Sequence, residues 1–271
     1  MPQPPRIAAL ESRAVVAVRG SDWRDFLQGL LTQDVETLGE GALRFGALLT
    51  PQGRLLFDLF ILGRSDGCSI DCQADRRDAL IQRLMIYRLR AKVEIAAEPA
   101  GVVAAWGARP AGEGWAADPR LAALGWRGYG LAVSADASQA DYEAHRLALG
   151  VPGGADWGED DTYPLEADFD LLNGVDFKKG CFVGQETTSR MKRRGAVKSR
   201  MLPITFDGPP PEPGSELLAG TLRAGETLSG ADGRAMALVR LDRLESGART
   251  LPDGRVWSPD TPGWLKAGLA G

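Results

Sequence analysis

The 271-residue sequence predicts an α+β fold. Strand-like apolar runs follow one another and then give way to a single strongly periodic helix, instead of alternating with helices as a parallel doubly wound sheet demands. A proline-rich break, GPPPEPG at Gly208 to Gly214, forbids both helix and interior strand. Beyond it, short apolar segments alternate with glycine turns, the pattern of a small all-β module. These observations divide the chain into residues 1–196, read as two α+β lobes with an internal boundary near 97–128, and residues 197–271.

In chain order, Ala14 to Arg19 (AVVAVR) reads as a strand closed by Gly20. Ser21 is a plausible N-cap for a helix from Asp22 to Leu31, with Phe26, Leu27, Leu30 and Leu31 as its apolar stripe. Ala42–Leu49 and Leu55–Leu62 are strand-like runs around Thr50-Pro51-Gln52-Gly53, a hairpin turn with proline at its second position. Gly67–Cys72 adds a strand. Asp75–Leu89 is the strongest helix, with Leu80, Leu84 and Tyr87 on one side and acidic residues near its start. Lys92–Ala96 and Val102–Trp106 read as strands, the second inside a stretch (99–127) rich in Ala, Gly, Pro and Trp. Tyr129–Val133 is a further strand, and Asp141–Leu149 a helix stopped by Gly150 and Pro152. Val197–Phe206, Glu216–Leu218, Gly225–Leu228, Ala235–Leu241 and Arg255–Trp257 supply the strands of the β module.

Counting excludes several chemistries. With one histidine, His145, the chain lacks the imidazoles of a zinc-protease site or a two-histidine iron site, and His145 falls at helical spacing with Tyr142 and Leu149. No phosphate-loop, dinucleotide or Gly-x-Ser-x-Gly motif occurs. The longest apolar runs hold five residues where a bilayer span needs about 20, so no membrane partner is expected. The N-terminal residues lack the apolar core of a secretory signal, and three cysteines in a reducing compartment fit a cytoplasmic protein. Cys68 and Cys72 share one strand face without C-x-x-C turn geometry and read as small buried filler.

The formal charge of −4 conceals an asymmetry. Lys178 to Arg200 carries eight basic residues against Glu186, so this window is +7 and the remainder −11. Such a strip marks where an anion docks. It includes Lys178-Lys179-Gly180-Cys181-Phe182-Val183-Gly184-Gln185-Glu186. Two lysines put positive charge beside the thiol, the flanking glycines let backbone pass close to a bound group, and a helix opening at Gly184 would add its free N–H groups. The residues alone leave a reactive thiol, an anion site and a buried structural cysteine open.

KKGCFVGQE resembles the signature of the folate-binding YgfZ proteins, relatives of the glycine cleavage T-protein and of a mitochondrial iron-sulfur assembly factor. Pro164-Leu165-Glu166 and Leu171 to Phe177 (LLNGVDF) are similar to the segment preceding that signature. Phe26 to Val35 (FLQGLLTQDV), Leu49 to Arg54 (LTPQGR) and Ala224 to Ser229 (AGETLS) are similar to the family's first helix, hairpin and final barrel. The resemblance implies a T-protein-like, multi-lobed ring around a central folate cavity, with residues 1–196 binding folate and a small C-terminal β-barrel. It implies tetrahydrofolate or another reduced folate as cofactor, Lys179 and Cys181 as the catalytic pair, and Gly180, Gly184, Gln185 and Glu186 as cofactor-binding. Arg190 and Arg194 are candidates, by charge, for the folate's glutamate tail. The T-protein family places two adjacent aspartates after its hairpin; aligned on Asp58-Leu59, the first of them is Phe57 here, and a one-residue shift puts Asp58 in that role. Loss of this carboxylate removes the positioning of a developing cationic amine.

The expected function is a folate-binding accessory role in iron-sulfur cluster assembly or repair, supporting cluster-dependent enzymes including those that thiomethylate tRNA. Its partners are then assembly or client proteins. The alternative is a folate-dependent one-carbon (aminomethyl) transferase. Direct nucleic-acid binding is the weakest reading, because the rest of the chain is acidic and no aromatics cluster by the basic strip.

Overall fold

A computed structural model describes residues 4–158, 160–195 and 197–270 of the protein. It divides into two compact units, one formed by residues up to Tyr142 together with Leu172–Gln185, the other by Glu143–Leu171 together with residues from Glu186 onward.

The first unit contains β1 (Arg6–Ala9), β2 (Arg13–Arg19), α1 (Trp23–Gln28), β3 (Leu43–Leu49), β4 (Leu55–Arg64), β5 (Gly67–Gln73), α2 (Arg77–Arg88), β6 (Glu94–Glu98), β7 (Val102–Trp106), β8 (Trp115–Ala117) and β9 (Trp126–Tyr129). These strands form two antiparallel sheets, ordered β3-β4-β5-β2-β6 and β1-β7-β9-β8. Period-2 alternation explains the layering. Val16, Ile61 and Ile70 face one way and pack with Trp23 and Leu27 of α1 and Leu80 and Leu84 of α2. Val15 and Leu62 face the other way and pack with Val102, Trp106 and Tyr129 of the second sheet. Strand β4 is therefore covered on both sides, which is why nine of its ten residues are buried.

A charged layer lies between these sheets. Arg13 bonds Asp58 at 2.7 Å and Asp71 at 2.6 Å, Arg127 bonds Asp71 at 2.8 Å and Asp118 at 3.3 Å, and Arg120 bonds Asp118 at 2.8 Å. The Arg127 guanidinium stands 3.7 Å from the Phe60 ring centroid, a desolvated cation–π contact. Three cations meet three carboxylates, so the burial leaves no net charge among them.

Several expected elements shift for local reasons. Helix α1 has six residues, and beyond Gln28 the chain continues in a turn in which Leu30 and Leu31 both donate their N–H to the Leu27 carbonyl at 3.0 Å. The hydroxyl of Ser21 donates to Asp22 at 2.6 Å instead of capping the helix. Lys92 donates its backbone N–H to the Asp22 carboxylate at 2.8 Å, and β6 starts two residues later than expected. Gly130, at φ +66°, ends β9 where the sequence suggested a strand beginning at Tyr129. Strands β1 and β8 are four and three residues long, too short for a periodic signal.

The second unit takes α3 (Gln139–Ala148) from Glu143 onward, α4 (Gln185–Arg194) from Glu186 onward, β10 (Ser199–Thr205), β11 (Glu216–Ala219), β12 (Leu222–Ala231), β13 (Arg234–Arg240), β14 (Arg249–Thr250), β15 (Ser258–Pro259) and α5 (Gly263–Ala270). Its strands make one antiparallel sheet, β14-β11-β12-β13-β10-β15. Leu202, Ile204, Leu217, Val239, Leu251 and Leu265 pack there with Trp257. Expected as a strand, 255–257 is instead the segment that plugs this core: Trp257 is fully buried, and its ring N–H donates to the Leu218 carbonyl at 3.1 Å. Among the described residues, no helix is long and apolar enough to cross a membrane.

Candidate functional site

Three sequence motifs far apart in the chain meet in the first unit. The ammonium of Lys179 donates to the carbonyls of Gln28 at 2.7 Å, Leu31 at 2.6 Å and Gln33 at 3.0 Å. Lys179 thereby ties off the backbone where α1 ends, with every N–H of the ammonium occupied. Thr32 donates its hydroxyl to the Gly174 carbonyl at 2.6 Å, and the Gln33 amide donates to the Asn173 carbonyl at 2.7 Å. Asp176 accepts from the backbone N–H groups of Lys178 at 2.8 Å and Lys179 at 3.2 Å, an Asx-type turn that shapes the loop. On the far side of Cys181, Val183 donates its N–H to the Gly29 carbonyl at 3.2 Å. Gly184 sits at φ +82°, and a Cβ there would stand 2.7 Å from the Thr50 carbonyl oxygen of the β3–β4 turn.

Cys181 crests this anchored loop. Its thiol is exposed, while Phe182 beside it is 7% exposed and Val183 packs into the helix–sheet core. Burial pulls Lys179 down to about 8, against the attraction of Asp34, Asp176 and Glu36. Burial opposes ionisation of Asp34 too, but hydrogen bonds led by those from Thr37 and Gln28 hold it down at about 2, so it stays an anion facing the lysine. Cys68 and Cys72 are fully buried in β5, and burial pushes both thiols up to about 12. Cys181 is thus the thiol offered to the outside. Among the described residues no three His, Cys, Asp or Glu side chains gather to hold a metal ion.

The other candidate residues distribute differently. Gly180 has open space where a Cβ would be, and its carbonyl accepts from the Gln185 side chain at 3.4 Å. Asp58 is 5% exposed and committed to Arg13, an environment suited to a structural ion pair. In the second unit, Glu186, Arg190, Arg193 and Arg194 line one groove along α4, and Glu186, Arg190 and Arg194 are exposed. Arg200 in β10 bonds Asp168 at 2.7 Å and Asp170 at 2.9 Å, and Lys192 reaches Asp170 at 2.9 Å, which anchors α4 to the segment before it. Burial raises Asp168 to about 8 despite Arg200. Sequence reasoning singled out neither this cluster nor the docking roles of Thr32 and Gln33. The motif FLQGLLTQDV pointed to the second, but its partner lies 140 residues on.

Residues 198–267 match the family described as the CAF17, C-terminal beta-barrel domain. Over 287 aligned residues the chain is 30% identical to the human iron-sulfur cluster assembly factor IBA57, mitochondrial, covering 92% of this chain and 78% of that protein. The mouse protein of the same name is 30% identical, covering 87% and 78%. The IBA57 homologue of Mycosarcoma maydis is 34% identical over 76% of this chain, and the match spans 59% of that longer protein. The fold is similar to that of the glycine cleavage system aminomethyltransferase T from Bartonella henselae, with a TM-score of 0.75 at 17% identity, covering 97% of this chain and 86% of that one. The expected T-protein-like α+β architecture with a C-terminal barrel is thereby established. The expected cytoplasmic location is overturned, because these relatives are mitochondrial proteins. The missing apolar core at the N-terminus bears on secretory export alone.

Proposed function

The chain belongs to the IBA57 family of iron-sulfur cluster assembly factors, and from that membership we propose that it serves cluster assembly by lending the thiolate of Cys181 to a cluster in transit. The observation that carries this reading is the exposure of Cys181 on a loop fixed on both sides, by Lys179 and by Val183. A four-iron cluster usually takes four cysteines, so one thiolate supports shared ligation with a partner that supplies the rest. Ligation releases the thiol proton, and the fixed loop lowers the entropy lost when the sulfur joins the metal. The cluster is the cargo of this process; the chain orients one ligand and leaves it accessible.

A reduced folate fits this proposal at its anionic end. Arg190 and Arg194 stand exposed on α4 and suit the glutamate carboxylates, in a groove that Arg193 and Glu186 also line. Bound folate would supply a one-carbon carrier; Asp58, ion-paired with Arg13, offers no free carboxylate to a developing amine. The aminomethyl transferase alternative therefore loses its candidate carboxylate, and no transfer step is assigned. Clients in this proposal are cluster-dependent enzymes, among them those that thiomethylate tRNA, with residues 1–196 as the folate-binding region and 197–271 as the barrel.

Two measurements test this. Cells deprived of the chain should lose activity of four-iron enzymes and regain it with the wild-type gene; unchanged activity on deprivation would sink the assembly role. Purified chain incubated with tetrahydrofolate and an aminomethyl donor should bind folate without turnover, whereas sustained turnover establishes the transferase.

A further inference from the structure

The C-terminal end of α2 exposes three apolar side chains, Met85 at 40%, Ile86 at 66% and Leu89 at 87%. Leu89 holds φ +43° and ψ −105°, and Ala91 donates its N–H to the Arg88 carbonyl at 2.8 Å. This is the first corner of a type II′ turn, a position that favours glycine. A leucine here sits in a disfavoured backbone region and also forgoes the burial that leucine ordinarily gains. The stretch itself is cationic: it carries Arg83, Arg88, Arg90 and Lys92, and no acidic residue occurs between Asp78 and Glu94, the nearest carboxylate contact being Asp22 on the Lys92 N–H. The opposite side of α2 buries Leu80 and Leu84 in the same core that receives Leu27 of α1 and Val183 of the signature loop. The exposed end of α2 and Cys181 thus ride on one packed layer.

We propose that the end of α2 is the docking surface for the second protein that shares the cluster at Cys181, a partner presenting an apolar ridge flanked by carboxylates. The inference rests on the cluster reading above. Charge complementarity specifies the acidic flanks, and Leu89, Ile86 and Met85 specify the ridge. A protein is favoured over an anionic lipid surface because a single thiolate needs further thiolate ligands held close by, which lipid headgroups do not bring.

The test titrates purified chain into a labelled helical peptide bearing a leucine ridge between rows of glutamates. Parallel titrations use the same peptide with lysines for glutamates, and phosphatidylcholine vesicles containing phosphatidylserine. The glutamate peptide should bind, more weakly as salt rises. Leu89→Asp should weaken binding at least about tenfold, while Cys181→Ala leaves it unchanged. Leu89→Gly should raise the thermal midpoint and still weaken binding, separating turn strain from docking. In cells, Leu89→Asp should lower four-iron enzyme activity. Equal peptide binding by Leu89→Asp, preference for the lysine peptide, Leu89-dependent vesicle binding, or self-association abolished by Leu89→Asp would each overturn the proposal. Failure of the cluster reading shows differently, as full four-iron enzyme activity in Cys181→Ala cells with peptide binding intact.

Discussion

The Lys179 ammonium donates to the Leu31 carbonyl at 2.6 Å across 148 residues of sequence. With the Gln28 and Gln33 carbonyls also bound, Lys179 works as a clasp between the exit of α1 and the signature loop. Lys179→Met removes three donors to backbone acceptors at a net of about 1 kcal/mol each, and should cost roughly 2 to 3 kcal/mol in urea unfolding.

The same lysine predicts a pH dependence. Its folded pKa, about 8, lies below the ordinary 10.5. Between these values the unfolded chain holds a proton that the folded chain has released, so this group's contribution to stability rises with pH from about 8 to 10.5. Wild-type stability measured relative to Lys179→Met should climb over that window. A flat difference would show that burial does not shift the lysine.

Gly184→Ala places a Cβ against the Thr50 carbonyl in a left-handed backbone region, and should cost about 1 to 3 kcal/mol. Gly180→Ala meets open space and should change thermal stability little. Equal effects would remove the distinction between a packing glycine and one beside open space.

Asp58→Asn leaves Arg13 with one fewer carboxylate in the charged layer. Breaking a buried pair in this way costs about 3 to 5 kcal/mol, so chemical denaturation should show a large loss. Undiminished stability would return Asp58 to candidacy as a folate contact.

In the native chain iodoacetamide should label Cys181 alone near neutral pH, because Cys68 and Cys72 are buried with thiols pushed up to about 12. Peptide mapping reads the sites. All three should label after unfolding, and native labelling of Cys68 would contradict their burial.

Much of the architecture was readable from local pattern. The β3–β4 hairpin, β5 and α2 carried strong periodicity and clear turn chemistry, and GPPPEPG marked the break before the β module. The misses share a cause: Arg255–Trp257 reads as a strand by sequence while Trp257 is a core plug, and β1 and β8 exist because longer strands pair with them. At the site, KKGCFVGQE points to chemistry, but the hold of Lys179 on carbonyls more than 140 residues away is not visible in the sequence. Asp58 drew attention through alignment with the T-protein aspartates, while its commitment to Arg13 depends on a sheet pairing no local pattern displays. The mitochondrial character of the relatives is not legible in the lack of a secretory signal, which bears on export alone.

The central claim is that Cys181 lends one ligand to a cluster. It is tested most directly by replacing Cys181 with Ser in cells whose only copy of the gene carries that change, and assaying four-iron enzymes beside the thermal midpoint of the purified variant. The exposed position predicts a midpoint within about 0.5 kcal/mol of wild type in equivalent stability, with four-iron enzyme activity falling to the level of cells lacking the chain. Full enzyme activity in the Ser variant would contradict the account.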